Sequence, residues 1–150
     1  MALDQAFVGR TYPATDAYLV SAAKIREFAD AIGDDNPAYR SVDAARALGH
    51  RDVVAPPTFV IVVTSRAASQ VTSDPALGLD YSRVVHGEQS FTYERPIVAG
   101  DRLVAVATVE KIRSAAGNDL LTVSCAVSTA DGEPVATARS VIVARGTAKD

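Results

Sequence analysis

The stretch Val53-Val54-Ala55-Pro56-Pro57-Thr58-Phe59-Val60-Ile61-Val62-Val63-Thr64-Ser65-Arg66-Ala67-Ala68-Ser69-Gln70-Val71 decides the fold. Its β-branched run alone suggests a buried strand. Two prolines at the front, where a helix tolerates proline in its first turn, and a continuation through Arg66, Ala67, Ala68 and Gln70 favour instead a helix of about 15 residues. The first half of that helix is apolar all round, so it belongs in an interior rather than on a surface. Such a helix needs a sheet to wrap it.

The second half of the chain supplies the sheet. His86 to Arg95, Leu103 to Ile112, Leu120 to Thr129 and Val135 to Ala144 each read as strands. In the third, Leu121, Val123, Cys125 and Val127 alternate with Thr122, Ser124, Ala126 and Ser128. Turns at Pro96 to Asp101, Ala115-Ala116-Gly117-Asn118 and Asp131-Gly132 separate the strands, the last being a two-residue hairpin signal. The pattern predicts an antiparallel meander. Between helix and sheet, Thr72 to Arg83, with Asp74-Pro75 and Gly78, reads as a mobile surface connection able to cover something.

Upstream, residues 3 to 20 read as one or two short extended segments. Ser21 is a good N-cap, and Ile25, Phe28, Ala29 and Ile32 share one helical face, which predicts a helix at about 22 to 32 ended by Gly33. Ser41 caps a second short helix through Val42, Ala44, Ala45, Ala47 and Leu48, with Gly49 as its stop. His50, beside Arg51 and Asp52, reads as solvated surface. Between the two helices lies Gly33-Asp34-Asp35-Asn36-Pro37-Ala38-Tyr39. Its turn chemistry puts Asp34 on a tight, rigid corner, where a carboxylate can be aimed.

With 150 residues, a hydrophobic fraction of 48% and charged residues at 22%, the chain describes one soluble globular domain over 1–150 that needs neither disulfide nor metal to fold. The net charge of −3, without a basic cluster, excludes nucleic acid as an expected partner. No apolar run is long enough to span a membrane. Cys125 is the single cysteine and Met1 to Gln5 lack the regions of a signal peptide, so the cytoplasm is the expected compartment. No spacing of His, Cys, Asp or Glu supports a metal site, and no cofactor is expected.

Gly-Asp-x-Asn-Pro-x-His is the signature of the MaoC-like (R)-specific enoyl-thioester hydratases and dehydratases. This chain resembles it through Gly33, Asp34, Asn36 and Pro37, then departs from it at Tyr39. Val54-Ala55-Pro56-Pro57-Thr58-Phe59, His86-Gly87-Glu88-Gln89, Phe91-Thr92-Tyr93, Arg95-Pro96-Ile97 and Gly100-Asp101 extend the likeness over nearly the whole chain. They point to the branch of N-terminal, substrate-holding dehydratase domains and short actinobacterial (3R)-hydroxyacyl-carrier-protein dehydratase subunits. The resemblance implies an α+β hot-dog fold, a curved antiparallel sheet wrapped around a long buried helix.

It also implies a site. In active relatives the motif Asp and His share acid and base work, and an amide at the start of the buried helix polarises the thioester carbonyl. Asp34 can orient a water or accept a proton, and Asn36 can hold the turn or bond the substrate. Tyr39 stands at the missing histidine and is a poor base at neutral pH but a fair donor. Pro57 replaces the usual glycine and has no N–H, leaving the Thr58 and Phe59 amides as substitutes. His86 is a candidate replacement base, against the plainer reading that it and Glu88 hydrogen-bond each other or a neighbouring loop. Glu94 and Arg95 read as a strand-end salt bridge.

Four readings follow. The chain is the acyl-holding half of a hydro-lyase acting on acyl-CoA or acyl-ACP thioesters, paired with a motif-complete subunit. Otherwise it is a self-sufficient hydratase using Asp34 with Tyr39 or His86, a thioesterase, or a non-catalytic thioester-binding module. The thioesterase reading is weakened because Pro57 to Val71 holds neither Asp nor Glu. All four imply a homodimer or heterodimer, since a curved sheet with an open edge strand tends to pair.

Overall fold

The computed structural model describes residues 2–148. After a short 3₁₀ turn at Gln5–Phe7 come β1 (Tyr18–Leu19), α1 (Ala22–Ala31), α2 (Val42–Ala47) and α3 (Ile61–Thr72). The strands β2 (Val84–Tyr93), β3 (Arg102–Ala115), β4 (Asn118–Thr129) and β5 (Pro134–Ala144) follow. All join one antiparallel sheet in the order β1-β3-β4-β5-β2, and α3 packs on its inner face against β3 and β4.

The caps form where the sequence puts them. Ser21 accepts the Lys24 amide at 3.1 Å and Ser41 the Ala44 amide at 3.2 Å. At the end of α1, Gly33 turns through φ +71°. The strand alternation also holds: Leu121, Val123, Cys125 and Val127 are all buried. Between β3 and β4 the chain reverses in two residues, Ala116 and Gly117, both with positive φ, as a type I′ turn requires.

Three expectations need correction. First, α3 starts at Ile61, not at the prolines. Pro56 to Val60 wind more tightly, with Phe59 N–H bonding Pro56 O at 2.9 Å and Ile61 N–H bonding Thr58 O at 3.2 Å. The helix buries one face only, through Val63, Thr64, Ala67 and Val71, and leaves Ile61, Ser65 and Ser69 exposed.

Second, the meander is three strands long. β2 pairs with β5, and residues 94–101 carry the chain to the opposite side of the sheet as a crossover. That segment is held inside: Ala55 N–H bonds Ile97 O and Ala99 N–H bonds Val53 O, each at 2.8 Å, with Ile97 and Val98 buried. The Asp131-Gly132 hairpin is also wider than two residues, with Ser128 facing Pro134.

Third, the connection after α3 is pinned. Leu77 is fully buried, and Asp74 accepts from the Tyr12 hydroxyl at 2.8 Å and the Ala76 amide at 2.9 Å while pairing with Arg10.

The two sheet edges differ. Along β3 the N-terminal segment supplies Gly9, Tyr12 and Thr15 amides to the carbonyls of Val109, Ala107 and Ala105, so this edge is covered. The other edge, β2, pairs with no strand on its outer side among the described residues.

Asp101 locks the crossover. Its carboxylate, 2% exposed, accepts from Val98 N–H at 2.9 Å and from Arg95 at 2.9 and 3.1 Å, and pairs with Arg51. Burial alone would raise its pKa. The Arg95 and Val98 hydrogen bonds and the charges of Arg95 and Arg51 outweigh burial and hold it below the usual carboxylate value. Asp101→Ala leaves Arg95 without its principal counter-charge, with an expected loss of about 3 kcal/mol in denaturant titration. Because the folded pKa is the lower one, the wild-type advantage is complete above about pH 4 and disappears as pH falls through the folded value. A variant equally destabilised in acid and at neutrality would contradict this role.

Candidate functional site

The motif loop is built from local bonds. Asp34 N–H closes onto Ala29 O at 2.9 Å as α1 ends. The Asp34 carboxylate accepts the Asn36 amide at 3.1 Å, and the Asn36 side chain accepts the Ala38 amide at 3.0 Å, capping the turn Pro37–Tyr39. Arg40 reaches back to donate to Asp34 O at 2.6 Å and to pair with Asp30. The loop docks on the segment leading to α3, since Val54 N–H bonds Ala38 O at 3.2 Å. Phe28 of α1 meets Phe59 edge-on at 5.4 Å.

This arrangement brings Asp34 and Tyr39 together. Asp34 is half-buried and Tyr39 buried. Burial first, and the Asp34 charge second, raise the Tyr39 pKa above its ordinary value. A phenol shifted that way stays protonated at neutral pH. Asn36 uses its side-chain oxygen to hold the turn.

At the start of α3, Pro57 and Thr58 are exposed and Phe59 is sealed in the core. The Thr58 amide bonds no acceptor among the described residues. Sequence reasoning gave no role to the residue that completes this corner, Tyr93. Its hydroxyl donates to Pro57 O at 2.5 Å and faces the Val60 amide. Burial pushes its pKa up to about 12 against the opposing effect of that amide. The available signal was the alternation Phe91, Tyr93 at the end of a strand, which places both on one face.

His86 lies elsewhere. It stands in β2 on the wall of a cleft of about 180 Å³ between α3 and the β5–β2 side of the sheet, and neither Asp34 nor Tyr39 lines that cleft. A bulge at Gly87 shifts the register, so His86 faces Ile142 and Gln89 faces Ser140 on the helix side. Glu88, opposite Val141, turns to the other face. The expected His86–Glu88 bond therefore does not form. Likewise Arg95 pairs with Asp101 and Glu133, not with Glu94.

A sheet curled over one helix, with an acidic turn lodged against the start of that helix, is the hot-dog architecture of MaoC-like proteins. The chain belongs to the FAS1-like dehydratase domain region family, whose model matches residues 6–138. A UPF0336 protein of Streptomyces griseus is 60% identical over 145 residues, covering 97% of this chain and 97% of its own. Among solved structures, a MaoC-like dehydratase superposes with TM-score 0.88 at 35% identity, over 94% of this chain and 43% of that one. The HadBC (3R-hydroxyacyl-ACP dehydratase) complex of Mycobacterium tuberculosis gives TM-score 0.80 at 29% identity, over 91% and 96%. No helix among the described residues is long and apolar enough to cross a membrane.

Tyr93→Phe removes the bond to Pro57 and is expected to lower stability by about 1 kcal/mol without changing the denaturant m-value. An alkaline absorbance titration of wild type minus variant should place the lost tyrosine at about 12. Since that folded pKa is raised, its contribution is complete below about pH 10 and fades as pH rises through the folded value. A difference curve centred near 10 would mean that Tyr93 is not held at the helix start.

Proposed function

We propose that this chain is the acyl-holding subunit of an (R)-specific 3-hydroxyacyl-thioester dehydratase or 2-enoyl-thioester hydratase in fatty-acid metabolism. Its partner is a motif-complete MaoC-like subunit that provides the base. The observation that carries the reading is the state of Tyr39, a buried phenol with a raised pKa where the motif has histidine. Hydration needs a base to take a proton from water as its oxygen bonds C3, and a donor to return a proton to C2. Asp34 can orient the water and Tyr39 can donate, but neither neutral phenol nor turn-bound carboxylate replaces imidazole in both steps. The start of α3 is also altered. Pro57 has no amide, and the Val60 amide faces a side chain of the same protein.

Other features support the pairing. The open edge of β2 suits a second curved sheet, of this chain or of a relative. The similar MaoC-like dehydratase chain is more than twice as long as the part this chain matches, which fits one half of a two-part unit. HadBC is a complex. The carrier is coenzyme A or acyl carrier protein, the compartment is the cytoplasm, and residues 1–150 act as one domain. A second reading, a self-sufficient hydratase, draws on the closeness of the Asp34 charge to Tyr39.

Hydration of a trans-2-enoyl-coenzyme A series separates them. The purified chain alone is expected to be silent, and activity is expected to appear when it is co-expressed with a motif-complete relative. In that pair Asp34→Asn should change kcat only severalfold, whereas removing the partner's base should abolish turnover. Turnover by the chain alone that disappears in Asp34→Ala would establish the self-sufficient reading instead.

A further inference from the structure

The cleft along α3 is not the plain hydrocarbon groove that an alkyl tail requires. One wall is the helix face carrying Thr64, Ser69 and Thr72; the other carries Ser140 of β5 with His86 and Gln89 of β2. Ile142, Ala138 and Cys125 form an apolar floor between these groups. No carboxylate, lysine or arginine lines it.

The polar wall is produced by a specific backbone feature. In an unbroken strand His86 and Glu88 would share a face, and Gln89 would point to the other. The bulge at Gly87 reverses this, directing the imidazole and the amide inward together and sending the acidic side chain out. A side chain on Gly87 would approach Val143 Cγ2 to 3.2 Å, so glycine suits the close contact. His86 makes no hydrogen bond among the described residues. Gln89 donates its side-chain amide N–H to Arg139 O at 3.2 Å and to Ser90 O at 3.4 Å, and its side-chain oxygen accepts no hydrogen bond among the described residues. Ser140 is 9% exposed and its hydroxyl has no partner among the described residues.

We propose that this cleft selects acyl thioesters whose tail carries a neutral hydrogen-bonding oxygen, a hydroxyl or a keto group, distant from the thioester. The proposal rests on the acyl-holding reading above and extends it to substrate class. An alkyl tail drawn into the cleft strips water from Ser140, His86 and Gln89 without returning a hydrogen bond, whereas an oxygenated tail returns one. A lining of hydroxyls, an amide and an imidazole, with no lysine or arginine for a terminal carboxylate, matches an uncharged oxygen. From Tyr93 at the start of α3, Gln89 and His86 lie four and seven residues back along β2, roughly 13 and 20 Å at strand spacing. The recognised oxygen therefore sits well out along the tail.

The test is calorimetric binding of hexadecanoyl-coenzyme A against 12-, 14- and 16-hydroxyhexadecanoyl-coenzyme A, whose hydroxyls reach that far along an extended tail, to the full chain and to its co-purified assembly. At least one hydroxylated ligand is expected to bind about tenfold more tightly than hexadecanoyl-coenzyme A, the worth of one good neutral hydrogen bond. That preference should fall to near unity in His86→Leu or in Ser140→Ala, with hexadecanoyl binding kept or improved; two variants guard against one that misfolds. Equal binding of all four ligands, or a preference that both variants retain, overturns the proposal while leaving the acyl-holding role intact. If no acyl ligand binds either the chain or the assembly, the acyl-holding reading itself fails and takes this one with it.

Discussion

The structure depends on the seating of α3 against the inner face of β3 and β4. Val63, Ala67 and Val71 from the helix meet a surface where Ala105 and Ala107 sit beside Val109 and Val123, all essentially inaccessible to water. Small residues at the centre of the sheet let the helix approach closely, and larger ones at the margins, such as Leu103, Leu121 and Phe59, close the ends. Removal of these side chains from water is the dominant stabilising term, and it works only if the sheet is curved. The bulge at Glu110 between Val109 and Lys111 accompanies that curvature and returns Ile112 to the inner face. Every other element is placed relative to this contact: α1 through Phe28 on Phe59, the crossover through Ile97, and the motif loop through the bond from Val54 to Ala38.

Much of this was legible because local chemistry and tertiary role agree. The β4 alternation, the serine caps and the glycine stops each report a one-element property, so each survives folding unchanged. What the sequence could not state was which strands neighbour which. The segment 94–101 has turn composition whether it makes a hairpin or a crossover; the choice depends on pairing with residues 53–55, some forty positions away. The open face of α3 was hidden for a related reason. Val60 to Val63 is apolar on all sides, but how much of that surface one chain covers is set by the width of the sheet.

The candidate site was legible at the level of its loop and illegible at the level of its reach. Gly33, Asp34, Asn36 and Pro37 announce a rigid acidic corner, and the bonds found there are those their side chains favour. The position of Arg40, six residues beyond Asp34, with a guanidinium returning to Asp34 O, has no signature in spacing alone. Nor has Tyr93, whose contact with Pro57 spans 36 residues. His86 misleads in the opposite sense: a histidine in a polar cluster invites a catalytic reading. A one-residue bulge then removes its presumed partner Glu88 to the other face and turns it toward a different cleft.

On the proposed reading, these placements separate two functions that a complete enzyme would combine. Chemistry, on that reading, would need a base at position 39 and free donors at the start of α3; here a buried phenol fills the first place, and at the second the Thr58 amide is free among the described residues while Tyr93 faces the Val60 amide. Holding the ligand falls, on the same reading, to the apolar-floored cleft beside α3. A chain retaining one set of features while altering the other is not uniformly degraded: Tyr39 is buried, Tyr93 bonds Pro57, and among the described residues no side-chain nitrogen or oxygen fully shielded from water lacks a partner. The proposed division of labour follows from where these groups lie: Tyr39 and Tyr93 occupy the corner at the start of α3, and the cleft lined by α3, β5 and β2 is a separate place that neither Asp34 nor Tyr39 reaches.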